Sequence, residues 1–338
     1  MAVLVTGGAG YIGSHMVHRL VENDESVVVI DNLSTGFRWA LPAGVPLIEG
    51  DIADMALCRD VMRRFHVEEI IHFAASTVVS ESVVAPLRYY ANNTCALRNL
   101  LDAACQHGVE RLIFSSTAAV YGTAAQVVDE DAPLRPISPY GASKMMGERI
   151  IADANQAGGP NYVILRYFNV AGADPAGRTG QSTQAATHLI KVACQAALGQ
   201  RPGLCVFGTD YPTPDGTGVR DYIHVSDLID AHSLALDHLR RDGPSEVFNC
   251  AYGHGFSVLQ VIDAVRRAAG VDFPVNHAPR RPGDPAALIA RADKIKTVLG
   301  WQPRFDDLDT IVRHALAWER NLTRFEGETR HEHVLLRH

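Results

Sequence analysis

Tyr140 and Lys144 lie four residues apart in Ser138-Pro-Tyr-Gly-Ala-Ser-Lys144, a spacing that could move a proton. On a helix, positions i and i+4 project from one face, so the lysine ammonium is expected beside the phenol, favouring its ionised form. A free tyrosine titrates near ~10, and bringing it to about 7 takes roughly 4 kcal/mol of differential stabilisation. A lysine together with a second positive charge close by could supply that, leaving the tyrosine usable as a general base at neutral pH. Phe114-Ser-Ser-Thr-Ala-Ala-Val-Tyr121 adds hydroxyls where an apolar run ends. One of them could bridge a substrate hydroxyl to Tyr140, although a Ser or Thr at a strand end is often only a cap.

The elements that must position this pair read as a dinucleotide fold. Gly7-Gly-Ala-Gly-Tyr-Ile-Gly13 follows the apolar run Ala2–Thr6 and opens a helical pattern over Ile12–Glu22. Glycines let the backbone approach a pyrophosphate, and a helix N-terminus offers free N–H donors and a favourable dipole. Asp31 ends the second strand, where a carboxylate hydrogen-bonds the adenosine ribose and repels a 2′-phosphate, so NAD is expected rather than NADP. Asp51-Ile52 follows the third strand and is expected to flank the adenine; Asp51 could equally cap a helix.

Further strands are expected at Ser26–Ile30, Leu47–Glu49, Glu69–Phe73, Leu112–Ser115 and Tyr162–Tyr167, with helices at Met55–Phe65, Pro86–His107 and Gly141–Gln156. This alternation predicts an α/β fold with a doubly wound, Rossmann-type parallel sheet over residues 1–172. After the Gly/Pro/Asp-rich stretch Gly172–Gly180 the rhythm changes. Helices at Thr183–Leu198, Val225–Leu239, Ser257–Ala269 and Asp306–Arg320, with a short strand at Leu204–Phe207, predict a smaller mixed α/β substrate lobe over 173–325. A polar tail over 326–338 is expected to fray.

Bulk properties narrow the classes. A net charge of -7 argues against a nucleic-acid footprint, which would be basic. No stretch approaches the roughly 20 apolar residues of a membrane span. The six cysteines show no CxxC or disulfide-framework spacing, and the chain enters a strand pattern without a basic leader, so reduced thiols and a cytoplasmic location are expected. His331 and His333 lack the spacing and further ligands of a zinc site, and no metal is expected.

The motifs Thr6-Gly-Gly-Ala-Gly-Tyr-Ile-Gly-Ser-His15, His72-Phe-Ala-Ala, Tyr140-Gly-Ala-Ser-Lys144, Arg166-Tyr-Phe-Asn169, Asp215-Gly-Thr-Gly-Val-Arg-Asp-Tyr-Ile-His224 and Arg280-Arg-Pro-Gly-Asp284 appear in that order. Together the chain, to about residue 320, resembles the UDP-glucose 4-epimerases of the extended short-chain dehydrogenase/reductase superfamily. The glycine loop and the Tyr-Lys pair mark only the superfamily; the Asp215–His224 run is far more specific.

The resemblance implies reversible epimerisation of UDP-glucose and UDP-galactose through a transient 4-keto sugar, with tightly bound NAD. Tyr140 would take the 4′-hydroxyl proton, Thr117 would relay or orient it, and Lys144 would hold the nicotinamide ribose. By position, the NAD site would comprise Gly7, Gly10, Tyr11, Ile12 and Gly13 at the loop, and Asp31, Asn32, Leu33, Ser34, Thr35 and Gly36 after the second strand. Asp51 and Ile52 would join them, as would Phe73, Ala74, Ala75, Thr77 and Asn92, with Phe168 beside the ring. The UDP-sugar would meet Thr117, Tyr140, Tyr167, Asn169, His188 and Leu189, with Cys205, Val206 and Phe207 lining the uracil slot. Arg220 and Arg281 would contact the diphosphate and nucleoside, Asp284 the ribose, and Leu288 the sugar wall. Planar guanidinium forks suit phosphate oxygens on chemical grounds as well. A homodimer through the helices at Pro86–His107 and Gly141–Gln156 is also implied.

Four positions depart from the best-known bacterial pattern: Thr117 stands for serine, Thr77 for a lysine, His188 for an asparagine, and Leu288 for a tyrosine that restricts the sugar's 2-substituent. The shorter Leu288 predicts some activity on UDP-N-acetylglucosamine. Alternatives are a UDP-uronic acid or UDP-pentose 4-epimerase and a non-catalytic NAD sensor. A 4,6-dehydratase needs an acid–base pair where this chain has Ala118 and Ala119.

Overall fold

In Ala2-Val-Leu-Val-Thr6 every residue is buried, which suits a strand covered on both sides. The structure, a computed structural model, describes residues 2–123, 127–184, 186–281 and 284–335, and side chains of the last helix as far as Leu322. The chain runs β1 (Ala2–Thr6), α1 (Tyr11–Glu22), β2 (Val27–Asp31), β3 (Leu47–Glu49), α2 (Met55–Phe65), β4 (Val67–His72), α3 (Val79–Val84), α4 (Pro86–Tyr89), α5 (Ala96–His107), β5 (Arg111–Thr117), α6 (Pro139–Gln156), β6 (Asn161–Tyr167) and β7 (Asn169–Ala171). It continues through α7 (Leu189–Ala197), β8 (Leu204–Phe207), β9 (Val219–Arg220), β10 (Tyr222–His224), α8 (Val225–Arg240), β11 (Glu246–Cys250), β12 (Phe256–Ser257), α9 (Val258–Ala269), β13 (Val275–Ala278), β14 (Ala287–Leu288), α10 (Asp293–Leu299) and α11 (Leu308–Leu335).

Seven strands form one sheet in the order β11-β6-β5-β4-β1-β2-β3, with every neighbouring pair parallel. The order reverses between β1 and β4, so a crevice opens at the carboxyl ends of the strands. Side chains alternate across the pleat: Val3 and Val5 join α1 and α8 in one core, Leu4 joins α2 and α5 in the other. The first core continues without a break into α7, α9 and α11.

The expected α/β doubly wound class is observed, with differences of detail. The helix expected over Pro86–His107 is α4, a π-helical turn over Tyr90–Cys95, and α5. The helix expected from Thr183 starts only at Leu189. The strand β11 was not expected, and it pairs with β6 from beyond the anticipated junction, as α8 also packs on β5 and β6. The last helix runs past Arg320 and takes in the polar tail as far as Leu335; residues 336–338 lie outside the described residues.

Smaller sheets carry the second half. β10 pairs with β7, β13 with β8, and β12-β9-β14 form a third group. The parallel register of β9 and β14 sets Arg220 opposite Leu288.

Candidate active site

Helix α6 begins where the chemistry is needed. Ser138 accepts a hydrogen bond from the Gly141 N–H at 3.2 Å and Pro139 occupies the first turn, so Tyr140 is fixed at the helix start. Tyr140 is 8% exposed. Burial raises its phenol above the usual tyrosine range, and a hydrogen bond with Thr117 acts in the opposite direction. The Lys144 amine, 3% exposed, donates to the Ser115 carbonyl at 2.8 Å and lies 4.9 Å from the centre of the Phe114 ring. Burial pushes this amine down to about 7, with Glu148 pulling it back up. The shared helix face is therefore as expected, but the expected lysine effect on the phenol is replaced by a hydroxyl: Thr117 carries the lowering influence.

A second set of groups locks this face, and sequence reasoning missed it. Ser143 donates to the Tyr140 carbonyl at 2.7 Å, and Asn93 Nδ2 donates to Ser143 Oγ at 3.0 Å. Asn93 Oδ1 accepts from the Ser76 N–H at 2.8 Å, so the π-helical turn ties the segment after β4 to α6. One turn beyond Lys144, the Glu148 carboxylate is held by Arg166 at 2.6 Å and by Ser116. Arg166 also donates to Tyr121 Oη at 3.0 Å, which donates to Asn249 Oδ1 at 2.6 Å. Spacing alone held a clue: Tyr140, Lys144 and Glu148 share one helical face.

On the dinucleotide side, a Cβ at Gly13 would lie 2.2 Å from the Gly7 carbonyl oxygen, and one at Gly7 would lie 2.6 Å from the Ala74 nitrogen. Gly7 also sits at φ +70°, which favours glycine. Gly10 precedes α1 as its cap, and Ile12 packs on the core. The Tyr11 phenol donates to the Gly172 carbonyl at 2.8 Å, anchoring the loop to the start of the second half. Asp31 accepts from the Ala9 N–H at 2.9 Å and the Leu33 N–H at 2.8 Å, while its burial raises the carboxyl. Asn32 reaches Asp51 at 3.1 Å and accepts from the Ser34 N–H at 3.1 Å. Thr35 borders a crevice with Gly10 and Tyr11, and Gly36 closes tightly on Ala9.

Asp51 accepts from the Ala53 N–H at 2.8 Å, whereas the cap of α2 is Asp54, which corrects the alternative reading of Asp51. Ile52 is buried. Phe73 and Ala74 both donate from the backbone to the Thr6 carbonyl, at 2.9 and 3.1 Å, next to half-buried Ala75. Asn92 donates to Ser76 Oγ at 3.0 Å, and Thr77 is exposed. A backbone cradle this close, beside a carboxylate with two fixed inner bonds, fits an adenine dinucleotide.

Across the crevice, Tyr167 hydrogen-bonds Ser115, and burial pushes its phenol upward. Phe168 belongs to a small apolar cluster against which Leu288 packs. Asn169 pairs through its N–H with the Asp221 carbonyl at 3.1 Å. His188 caps α7 without a side-chain cap bond, just before Leu189, and its ring meets Gln181 at 2.7 Å. Cys205, Val206 and Phe207 lie on β8, and the Arg281 guanidinium stands 3.9 Å over the Phe207 ring. Arg220 pairs with Asp284 and donates to the Val219 carbonyl at 2.7 Å. Pro282 and Gly283 of the expected Arg-Arg-Pro-Gly-Asp motif lie outside the described residues.

Comparison with known proteins agrees with this geometry. The profile of the NAD dependent epimerase/dehydratase family matches residues 3–251. A UDP-glucose 4-epimerase of Azospirillum brasilense is 59% identical over 327 residues, spanning 96% of this chain and 94% of that protein. The crystal structure of UDP-glucose 4-epimerase from Bifidobacterium longum in complex with NAD+ and UDP is 38% identical, with a TM-score of 0.90 over 95% of this chain and 98% of that one. The UDP-Glc/GlcNAc 4-epimerase of Campylobacter jejuni is 47% identical, with a TM-score of 0.83 over 95% of this chain and 99% of that one.

Proposed function

The chain belongs to the NAD dependent epimerase/dehydratase family, and from that premise we propose that it interconverts UDP-glucose and UDP-galactose by inverting the sugar's 4-hydroxyl. The observation that carries the reading is the Thr117–Tyr140 hydrogen bond at the carboxyl end of β5, with the buried Lys144 one turn further along the same helix. Tyr140 would act as the phenolate, the form that the positive charge of a bound nicotinamide favours against burial. It accepts the proton of the sugar 4-hydroxyl and becomes the phenol, and Thr117 aligns that hydroxyl with it. Bound NAD supplies a hydride acceptor that later returns the hydride, a capacity that no side chain has. Lys144 holds the nicotinamide ribose, its amine already oriented by the Ser115 carbonyl. Tyr140 returns the proton when the 4-keto sugar is reduced on its other face. Arg220, Arg281 and Asp284 hold the nucleotide, and Phe207 stacks near the base.

We read the division into residues 1–172 and 173–325 as a functional one, the first part gripping the dinucleotide and the second the UDP-sugar, although β11 from the second part completes the first part's sheet. The relatives' names favour a hexose over the uronic-acid or pentose alternative. Leu288 at the sugar wall supports some turnover of UDP-N-acetylglucosamine.

Homodimer formation is part of the proposal. Val83, Val84 and Leu87 of α3 and α4 are 63%, 84% and 80% exposed, and Met146 of α6 is exposed nearby, an apolar face on helices that pack together. Six free cysteines support a cytoplasmic location. Among the described residues, no helix is long and apolar enough to cross a membrane.

The test is conversion of UDP-galactose to UDP-glucose by purified protein without added NAD, repeated with Tyr140→Phe. Removing the phenol is expected to cost about 100-fold or more in kcat. A rate within threefold of the original removes Tyr140 as the base.

A further inference from the structure

Asn249, on β11, is buried, and both ends of its side-chain amide are engaged. Its Oδ1 accepts from the Tyr121 hydroxyl at 2.6 Å. Its Nδ2 donates to the Val128 carbonyl at 3.2 Å and to the Arg291 carbonyl at 3.3 Å. The Asn249 N–H is taken by the Glu130 carboxylate at 2.7 Å. Two carbonyls on one side and a hydroxyl on the other fix which way round the amide sits.

These partners lead in two directions. Tyr121 accepts from Arg166 at 3.0 Å, and Arg166 grips Glu148 on α6, the helix that carries Tyr140. Val128 and Arg291 lead to the sugar wall. The Val128 N–H donates to the Ile289 carbonyl at 3.1 Å and the Arg291 N–H to the Val128 carbonyl at 2.7 Å, so Val128 bridges Ala290 in parallel. That bridge lies directly after β14, whose Leu288 carbonyl accepts from the Asp221 N–H at 3.3 Å. Leu288 is half-buried and packs on the cluster of Ala118 and Phe168, the sequence neighbours of Thr117 and Tyr167. β14 is therefore held along one edge by β9 and beyond its end by Asn249.

We propose that Asn249 is a positioning residue that sets how far the Leu288 wall stands from Tyr140, and so the largest 2-substituent a bound sugar can carry. This rests on the placing of Leu288 at the sugar and adds a residue that itself touches no ligand. The amide works as a strut between the hydroxyl tied to α6 and the two carbonyls that follow the wall. Without it those groups lose their partner inside the protein, and the segment turns outward towards water, taking Leu288 with it.

The test compares kcat/KM for UDP-N-acetylglucosamine with kcat/KM for UDP-galactose on the NAD-loaded protein. Asn249→Ala is expected to raise that ratio by roughly fivefold to tenfold, with NAD content and the pH dependence of kcat unchanged. Tyr121→Phe deletes only the hydroxyl on the other side of the amide and is expected to raise the ratio by roughly threefold. It carries the test if Asn249→Ala does not fold. A ratio that moves by less than about twofold, including equal loss on both substrates, overturns the proposal and leaves Asn249 a stabilising residue only. Leu288→Tyr in the same assay separates the two failures. If it shifts the ratio while the other variants do not, the strut alone fails; if it does not, the wall reading fails and the proposal with it.

Discussion

Asp31 and Asp284 are both proposed to meet a ribose, yet the two halves of the molecule hold them differently. Asp31 is 8% exposed and takes its bonds from the backbone N–H groups of Ala9 and Leu33. Asp284 is held by the side-chain guanidinium of Arg220, and neighbouring Arg280 is likewise held by Asp210. Backbone donors keep their positions whether or not a ligand is present, whereas side-chain ion pairs must exchange partners when a diphosphate arrives. The difference suits a dinucleotide that stays and a sugar nucleotide that comes and goes.

The comparison breaks most sharply at Gly13. A methyl group there meets the Gly7 carbonyl oxygen at 2.2 Å, a backbone atom that cannot swing away. Gly13→Ala is expected to cost about 1–3 kcal/mol or more of stability and to strip the purified protein of most of its NAD. Absorbance of released dinucleotide and a thermal melt check this; unchanged NAD content would mean that the loop is not the cradle.

Arg220→Met should act on the other half alone. Loss of a charge-assisted contact is expected to raise the KM for UDP-galactose by roughly 10–100-fold while NAD content holds. Loss of both ligands together would show that the halves do not grip separately.

Acid should act on both halves at once. Burial pushes His72 and His224 down to about 3, and His15 and His232 to about 4. Below pH 6.5 the unfolded chain binds protons that the folded chain refuses, so stability falls as pH drops from 6.5 towards 3. Asp221, pushed up to about 6 chiefly by burial, acts oppositely: the folded state gains its proton first, adding stability between pH 6 and 3.8. The histidines outnumber it, and the core is continuous from α1 to α11. A single cooperative transition is expected in an acid titration followed by circular dichroism; two separated steps would contradict the shared core.

The smallest effect is expected at the sugar wall. Leu288→Tyr should lower turnover of UDP-N-acetylglucosamine relative to UDP-galactose by roughly tenfold, leaving galactose turnover nearly unchanged. Paired assays of both substrates decide it.

Much of the first half was legible because buried parallel strands and amphipathic helices write strong periodicities. β1, β2 and α2 emerge within a residue of their expected bounds. The π-helical turn at Tyr90–Cys95 was not legible, since one widened turn leaves a helix's composition unchanged. Nor was β11: Glu246-Val-Phe-Asn-Cys is short and half polar, and its place beside β6 is settled by tertiary pairing. At the site, spacing placed Tyr140 and Lys144 on one face. It could not show that burial would turn the amine onto the Ser115 carbonyl. Asn93 and Ser143 escaped notice because their bonds connect segments fifty positions apart along the chain.

The buried clasp of Glu148, Arg166, Ser116 and Tyr121 has a kinematic consequence. A helix riveted to two strands in this way is held against sliding along the sheet or rolling on it, so the proposed proton acceptor, Tyr140, is a stationary floor. Whatever pivots between the removal of the hydride and its return must be the passenger, and its freedom to turn is set by the walls above that floor.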